Sequence, residues 1–174
     1  MKKYFLIFFL IILGTTYAQT NLKIGYVDSE VILSQFSEAI KAQGDLDAIT
    51  NKWTSQLDSM TQAYQASIQD YQKKAETMPD DKKLEAQQRI IRMEQEILEF
   101  RRQKFQQGTG EIFKKQEEVF APVKKKIYDA IRKVAKEENM SFVFDKSGDI
   151  LLLYADEAFD ITFKVLDTLR RGNN

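Results

Sequence analysis

Ala75-Glu76-Thr77-Met78-Pro79-Asp80-Asp81-Lys82-Lys83-Leu84 is the stretch that interrupts the helical patterning of residues 37–139, and its reading decides the fold. Pro79 disfavours helical geometry at Met78 and has no N–H to give the preceding turn, while Asp80 or Asp81 can cap the helix that follows. The chain therefore reverses at a tip near 79–81, with Pro79 and Asp80 in the turn. On the near side Leu46, Ile49, Trp53, Leu57, Met60, Tyr64, Ile68, Tyr71, Ala75 and Met78 step in threes and fours. On the far side Leu84, Ile91, Leu98, Phe105, Ile112 and Val119 recur every seventh residue. These two rows are the expected seam of an antiparallel helical hairpin. Partners across it are expected to have numbers adding to roughly 159, as Ala75 with Leu84 and Ile68 with Ile91.

At 1.5 Å of rise per residue, the outgoing arm would reach roughly 60 Å and a single return helix over 81–138 roughly 85 Å, so the hairpin must project into solvent. Its seam is thin, because Gln87, Glu94, Arg101 and Gly108 alternate with the apolar layers. Gly108 and Gly110 are the expected weak points. The outgoing row follows a 3-4-4 step, a period that does not favour a left-handed zipper.

Composition narrows the chemistry. The 174 residues hold 26 Lys plus Arg, 26 Asp plus Glu, and neither Cys nor His. Disulfides, thiol nucleophiles, a His base and the common zinc sets are thereby excluded. Carboxylate pairs such as Glu117 with Glu118 lie on charged helices, and Gly25 stands alone after the first strand with no phosphate-binding loop. We expect no catalytic residues, no metal and no cofactor.

The first residues read as a leader. Lys2 and Lys3 precede a short apolar run, and Thr16-Tyr17-Ala18 sets a cut between Ala18 and Gln19. The run is too short to span a bilayer comfortably, and a product cut there would be released outside the cytoplasmic membrane. Losing two lysines leaves 24 basic against 26 acidic residues, a net charge of −2.

The order of segments is then a leader over 1–18, a body segment over 19–38, the hairpin arm over 39–120 and a second body segment over 121–174. Residues 22–27 read as a buried strand, Asp28 or Ser29 as the cap of a brief helix, and Ser37 as the cap of the first arm. Asn139 sits where a helix stops in the left-handed conformation. Residues 141–144 and 150–154 read as two strands joined by the turn Asp145-Lys146-Ser147-Gly148-Asp149, with Asp160 capping a last helix. The fold class is α+β, a long coiled-coil-like hairpin on a small β-sheet body. Because 150–154 is apolar at consecutive positions, other copies of the chain are expected to complete the sheet. The candidate contacts are Ile24, Tyr26, Phe142, Phe144, Leu151 and Leu153.

Along the arm, Phe100 and Phe113 fall beside the seven-step row rather than on it, so they should leave apolar surface facing outward. With Tyr64 and Tyr71 they are the candidates for weak contact with many unrelated chains. Residues 82–115 carry nine basic and five acidic side chains, read as a solvated face with partner charges on the outgoing arm. Weak contact with anionic lipid is the sharper reading of that face; nucleic acid is not expected, because the leader directs export.

Lys23-Ile24-Gly25-Tyr26-Val27-Asp28, Ala121-Pro122-Val123, Ser141-Phe142-Val143-Phe144-Asp145 and Leu153-Tyr154-Ala155-Asp156 followed by Asp160-Ile161-Thr162 resemble the Skp/OmpH family of periplasmic chaperones. The resemblance implies a homotrimer whose arms enclose a cavity that holds unfolded outer-membrane proteins in the periplasm without ATP. Pro122 inside the return helix agrees with the family pattern, and its missing N–H and ring should bend the helix where arm passes into body. A charge of −2 departs from the strongly basic character of the best-described relatives. The competing class is a structural or adaptor protein of the cell envelope, for which a rod would suffice.

Overall fold

The computed structural model describes residues 22–148 and 152–172. Along the chain these form β1 (Ile24–Val27), α1 (Ser29–Gln35), α2 (Ser37–Lys74), α3 (Asp80–Phe105), α4 (Glu111–Glu137), β2 (Phe142–Asp145), a 3₁₀ turn (Glu157–Phe159) and α5 (Thr162–Arg171). The expected leader and its cut at Ala18 and Gln19 lie outside the described residues, as does Leu151.

The body closes around helix faces. Val123, Ile127, Ala130 and Val134 form one stripe of α4 and meet Ile32 and Phe36, Ala39 and Ala42 of α2, and Ile161, Val165, Leu166 and Leu169 at α5. Phe36, Ile32, Ile161 and Leu166 are almost wholly buried. Each such side chain is worth about 1.5–3 kcal/mol of transfer free energy, so this cluster anchors the arm's base. Phe36 also explains why Ser37 caps nothing. The cap position of α2 is Phe36 itself, with no side-chain hydrogen bond, and packing of its ring fixes the bend between α1 and α2 instead. Asp28 does cap α1, accepting from the Val31 N–H at 3.0 Å. Asp160 accepts from the Thr162 N–H at 2.8 Å, serving α5 from one residue outside its cap, Ile161. Asn139 stops α4 at φ 54°, with Met140 N–H bonded to Ala135 O and Asn139 N–H to Lys136 O, the paired closure of a Schellman stop.

The sheet corrects the expected hairpin of strands. β1 and β2 pair in parallel, Ile24 with Phe142 through Val27 with Asp145, across the whole inserted arm. Ser141 N–H to Lys23 O and Lys146 N–H to Val27 O, both 2.7 Å, extend the ladder. The turn after β2 forms, but its Asp145 carboxylate accepts from both the Ser147 and the Ser29 N–H at 3.1 Å, which draws it against the start of α1. Among the described residues none returns beside β2: Leu152, Leu153 and Tyr154 belong to no strand, and Tyr26 bridges to Asp160 on the free side of β1.

The arm is a hairpin of α2 against α3 and then α4. α2 has 38 residues, a reach of about 57 Å. The tip falls at Ala75–Pro79, where Pro79 takes the cap position of α3 and Asp80 and Asp81 lie in its first turn, favourable to the helix dipole without capping it. The outgoing seam is as the sequence indicates, with Leu46 buried and Trp53, Leu57, Met60, Tyr64, Ile68 and Tyr71 half-buried. The return seam is so only from Phe105 inward, with Phe105, Ile112 and Val119 half-buried. Ala86, Ile90, Met93, Ile97, Phe100 and Lys104 turn inward, while Leu84, Ile91 and Leu98 stay 56%, 53% and 56% exposed. The inward row steps by fours and threes and so puts two residues on the contact line in every seven, whereas Leu84, Ile91 and Leu98 supply only one.

The return arm is also two helices rather than one. Gln106 to Gly110 lie between α3 and α4, with Gly108 at φ 75°. Gly110 donates to Gln106 O at 2.7 Å, and a Cβ there would stand 2.7–2.9 Å from the backbone of Gln106 and Lys104. Outside the break, partners follow the expected register: Trp53 meets Phe105 and Gln87 bonds Tyr71, pairs whose numbers add to 158 (53 + 105, 71 + 87). Inside it, Lys126 pairs with Glu38, adding to 164 (126 + 38), because the break lengthens only the return arm. In a continuous helix, Gly108→Ala and Gly110→Ala would each stabilise by up to about 1 kcal/mol. Here Gly108→Ala should destabilise by about 1–2 kcal/mol and Gly110→Ala by more, read from urea unfolding midpoints.

Candidate functional site

Two exposed apolar surfaces stand out, one on the arm and one on the body. On the arm, Leu84, Ile91 and Leu98 repeat every two turns, about 10 Å apart, as a ridge beside the seam. Phe113, 39% exposed, adds apolar surface beyond the break. Of the two residues expected to face outward, Phe100 and Phe113, only Phe113 is exposed. Phe100 is half-buried under the Lys104 ammonium, 5.9 Å from its ring centre. Tyr64 is half-buried in the seam, and the Tyr71 hydroxyl accepts from Gln87 Nε2 at 2.6 Å. The ridge was hidden in the sequence because Leu84, Ile91 and Leu98 read as seam. The signal against that reading was the second row, Ala86, Ile90, Met93, Ile97 and Phe100, which steps by fours and threes and so offers a seam two residues in every seven rather than one.

The charges of α3 pair along the helix, as Lys82 with Glu85 at 2.8 Å and Arg102 with Glu99, rather than across to α2 as expected. Arg89, Arg92 and Arg101 have no ion-pair partner among the described residues. The arm therefore presents apolar side chains flanked by solvated charge. Such pairs stabilise the helix by a few tenths of a kcal/mol each and leave the ridge uncovered.

On the body, the strand register places Ile24, Tyr26, Phe142 and Phe144 on one face. Ile24, Phe142 and Phe144 are exposed, and Leu153 is 88% exposed nearby in sequence to the segment that covers Tyr26. A cleft of about 820 Å³ opens there, lined by Leu22, Ile24, Tyr26, Phe144, Tyr154 and Phe159. Burial, followed by the charges of Asp160, Glu157 and Asp156, pushes the Tyr26 phenol above its ordinary pKa, so it stays neutral. Gly25 lets Met140 and the Phe159 carbonyl approach the strand closely. Among the described residues no set of three His, Cys, Asp or Glu is placed to hold a metal ion, and no helix is long and apolar enough to cross a membrane.

Two carboxylates hold these surfaces in place. At Asp145 burial opposes ionisation, but hydrogen bonds from Ser29 and Ser147 outweigh it and hold the carboxyl below the usual range. At Glu138 the hydrogen bond from Lys164 does most to lower the pKa; burial opposes it, and the nearby Lys23 assists. The Lys23 ammonium also donates to Glu138 O at 2.8 Å, so β1, α4 and α5 meet at one residue.

The described residues thus form a sheet-and-helix body carrying one long helical arm, with apolar surface left open on both. The chain belongs to the family of OmpH-like outer membrane proteins, which matches residues 23–169. No curated protein gives a significant sequence match. Among solved structures, an OmpH-like protein of Caulobacter crescentus CB15, described as a candidate outer membrane chaperone, superposes with a TM-score of 0.72. It is 14% identical, over 91% of this chain and 90% of that one, a likeness of fold.

Because the pKa values of Asp145 and Glu138 are lowered on folding, their contribution to stability is complete above the unfolded values of about 4 and is lost as pH falls through the folded ones. Urea midpoints should thus fall steadily below about pH 4. Asp145→Asn should be less stable at neutral pH and show a shallower fall in acid.

Proposed function

We propose that this chain is an ATP-independent holdase of the periplasm that keeps unfolded outer-membrane proteins in solution. The family and the described role of the Caulobacter relative support that reading, and the Leu84, Ile91 and Leu98 ridge is the observation that carries it. An unfolded barrel strand exposes apolar side chains that would otherwise meet one another and aggregate. Each ridge residue offers a separate contact worth at most about 1.5–3 kcal/mol, too weak to trap a client alone. Several arms acting together raise the effective concentration of contacts, so holding comes from avidity and release needs no nucleotide.

The several arms come from a trimer in this reading. Among the described residues Ile24, Phe142 and Phe144 stay exposed on the face they share with the buried Tyr26, and a further copy of the chain would cover them. Arg89, Arg92 and Arg101 give the arm weak affinity for anionic headgroups, secondary to the apolar contact.

The test replaces the ridge and leaves the rest. Exposed substitutions cost little stability, so the triple variant Leu84→Gln, Ile91→Gln, Leu98→Gln should keep its helicity and its mass in light scattering. It should need about tenfold more protein to keep a urea-denatured membrane barrel soluble on dilution, a loss of about 1.4 kcal/mol in apparent binding. Unchanged holding by the triple variant would place the client elsewhere.

A further inference from the structure

We propose that Lys104 locks the joint between the two halves of the return arm, making the break at 106–110 a fixed elbow rather than a hinge. Glycines at such a break would ordinarily leave it loose, and the five residues there make few backbone bonds of their own: Thr109 and Gly110 both donate to Gln106 O. What spans the gap is one side chain. Lys104, in the last turn of α3, pairs with Glu111, the first residue of α4, at 2.5 Å. Each charge also suits its helix end, the cation at a C-terminus and the carboxylate at an N-terminus.

The same ammonium lies 5.0 Å from the ring centre of Trp53 on α2 and 5.9 Å from that of Phe100. Trp53 in turn meets the edge of Phe105, the last residue of α3, at 6.2 Å and 85°. One cation thus touches all three helices of the arm at the place where its register shifts. At 19% exposure Lys104 is the least exposed charged side chain in any ion pair among the described residues, so solvent and salt screen it least. Most other arm pairs lie within one helix, three or four residues apart, and splint only their own turn. The cation–aromatic contact and the pair across the break act on the same opening motion, so removing either partner should free it. The outer arm then keeps a set angle to the body whether or not a client is bound, a property independent of the holdase reading.

Hydrogen exchange on the full-length assembly tests this at the Thr109, Gly110 and Phe113 amides, whose acceptors lie within the joint. Lys104→Met keeps the apolar stem and removes the charge, and Glu111→Gln leaves the stack on Trp53 intact. Each should raise exchange at those amides by about tenfold, with the amides of residues 85–95 unchanged as an internal control. Lys104→Met should also red-shift the emission of Trp53, the one tryptophan in the sequence. Exchange within about twofold of the parent in Glu111→Gln would overturn the lock across the joint, even if Lys104→Met proved disruptive to the arm. A rise spread evenly along α3 would overturn it too, because the whole hairpin would then be loosening.

Discussion

Each helix of a two-helix arm has one neighbour, and that constraint governs most of what is distinctive here. A single contact line can cover only one stripe of each helix, so every apolar residue off that line must face water. In α3 the line is taken by Ala86, Ile90, Met93, Ile97 and Phe100, which leaves Leu84, Ile91 and Leu98 uncovered. An enclosed core would have absorbed them. Here they persist beside solvated charges as a surface that gains energy by meeting another apolar chain, without a shape that selects which one.

The body solves a different problem, which is to hold the arm's base with little material. The two strands are separated by the whole arm and still pair in parallel, so the hairpin is an insertion whose ends are fixed at one place. Helix packing covers one face of that sheet with Val27, Ile127, Val134 and Leu166 among others. Among the described residues nothing of comparable size covers Ile24, Phe142 and Phe144 on the other. Asp145 and Glu138 then act as pins between elements far apart in sequence, the first joining β2 to α1, the second joining β1, α4 and α5.

Much of this was legible in the sequence where local chemistry decided it. The Pro79 tip, the Asp28 cap, the stop at Asn139 and the outgoing seam all follow from residue type and spacing. The return seam was not legible because two apolar rows lie side by side on α3, and the choice depends on a rotation set by contacts across the arm, Trp53 with Phe105 and Tyr71 with Gln87. The break at 106–110 was visible only as weak helix formers, since composition cannot show that Gly110 fits against backbone atoms. The parallel pairing escaped because the apolar run after Gly148 suggests a local partner, while the real one lies more than a hundred residues away. Thus Phe100, expected to face outward, lies in the seam, and Leu84, Ile91 and Leu98, expected in the seam, face outward.

That exchange is the point on which the account turns, and site-specific photo-crosslinking reaches it directly. A photoreactive side chain at Ile91, 53% exposed, is compared with one at Ile97, 8% exposed in the seam, each in the full-length protein with an unfolded membrane barrel protein present. The account predicts strong crosslinks to the client from position 91 and only crosslinks within the arm from position 97. Client captured from position 97 and not from 91 would mean that the hairpin opens to bind along its seam, and the ridge would lose its role.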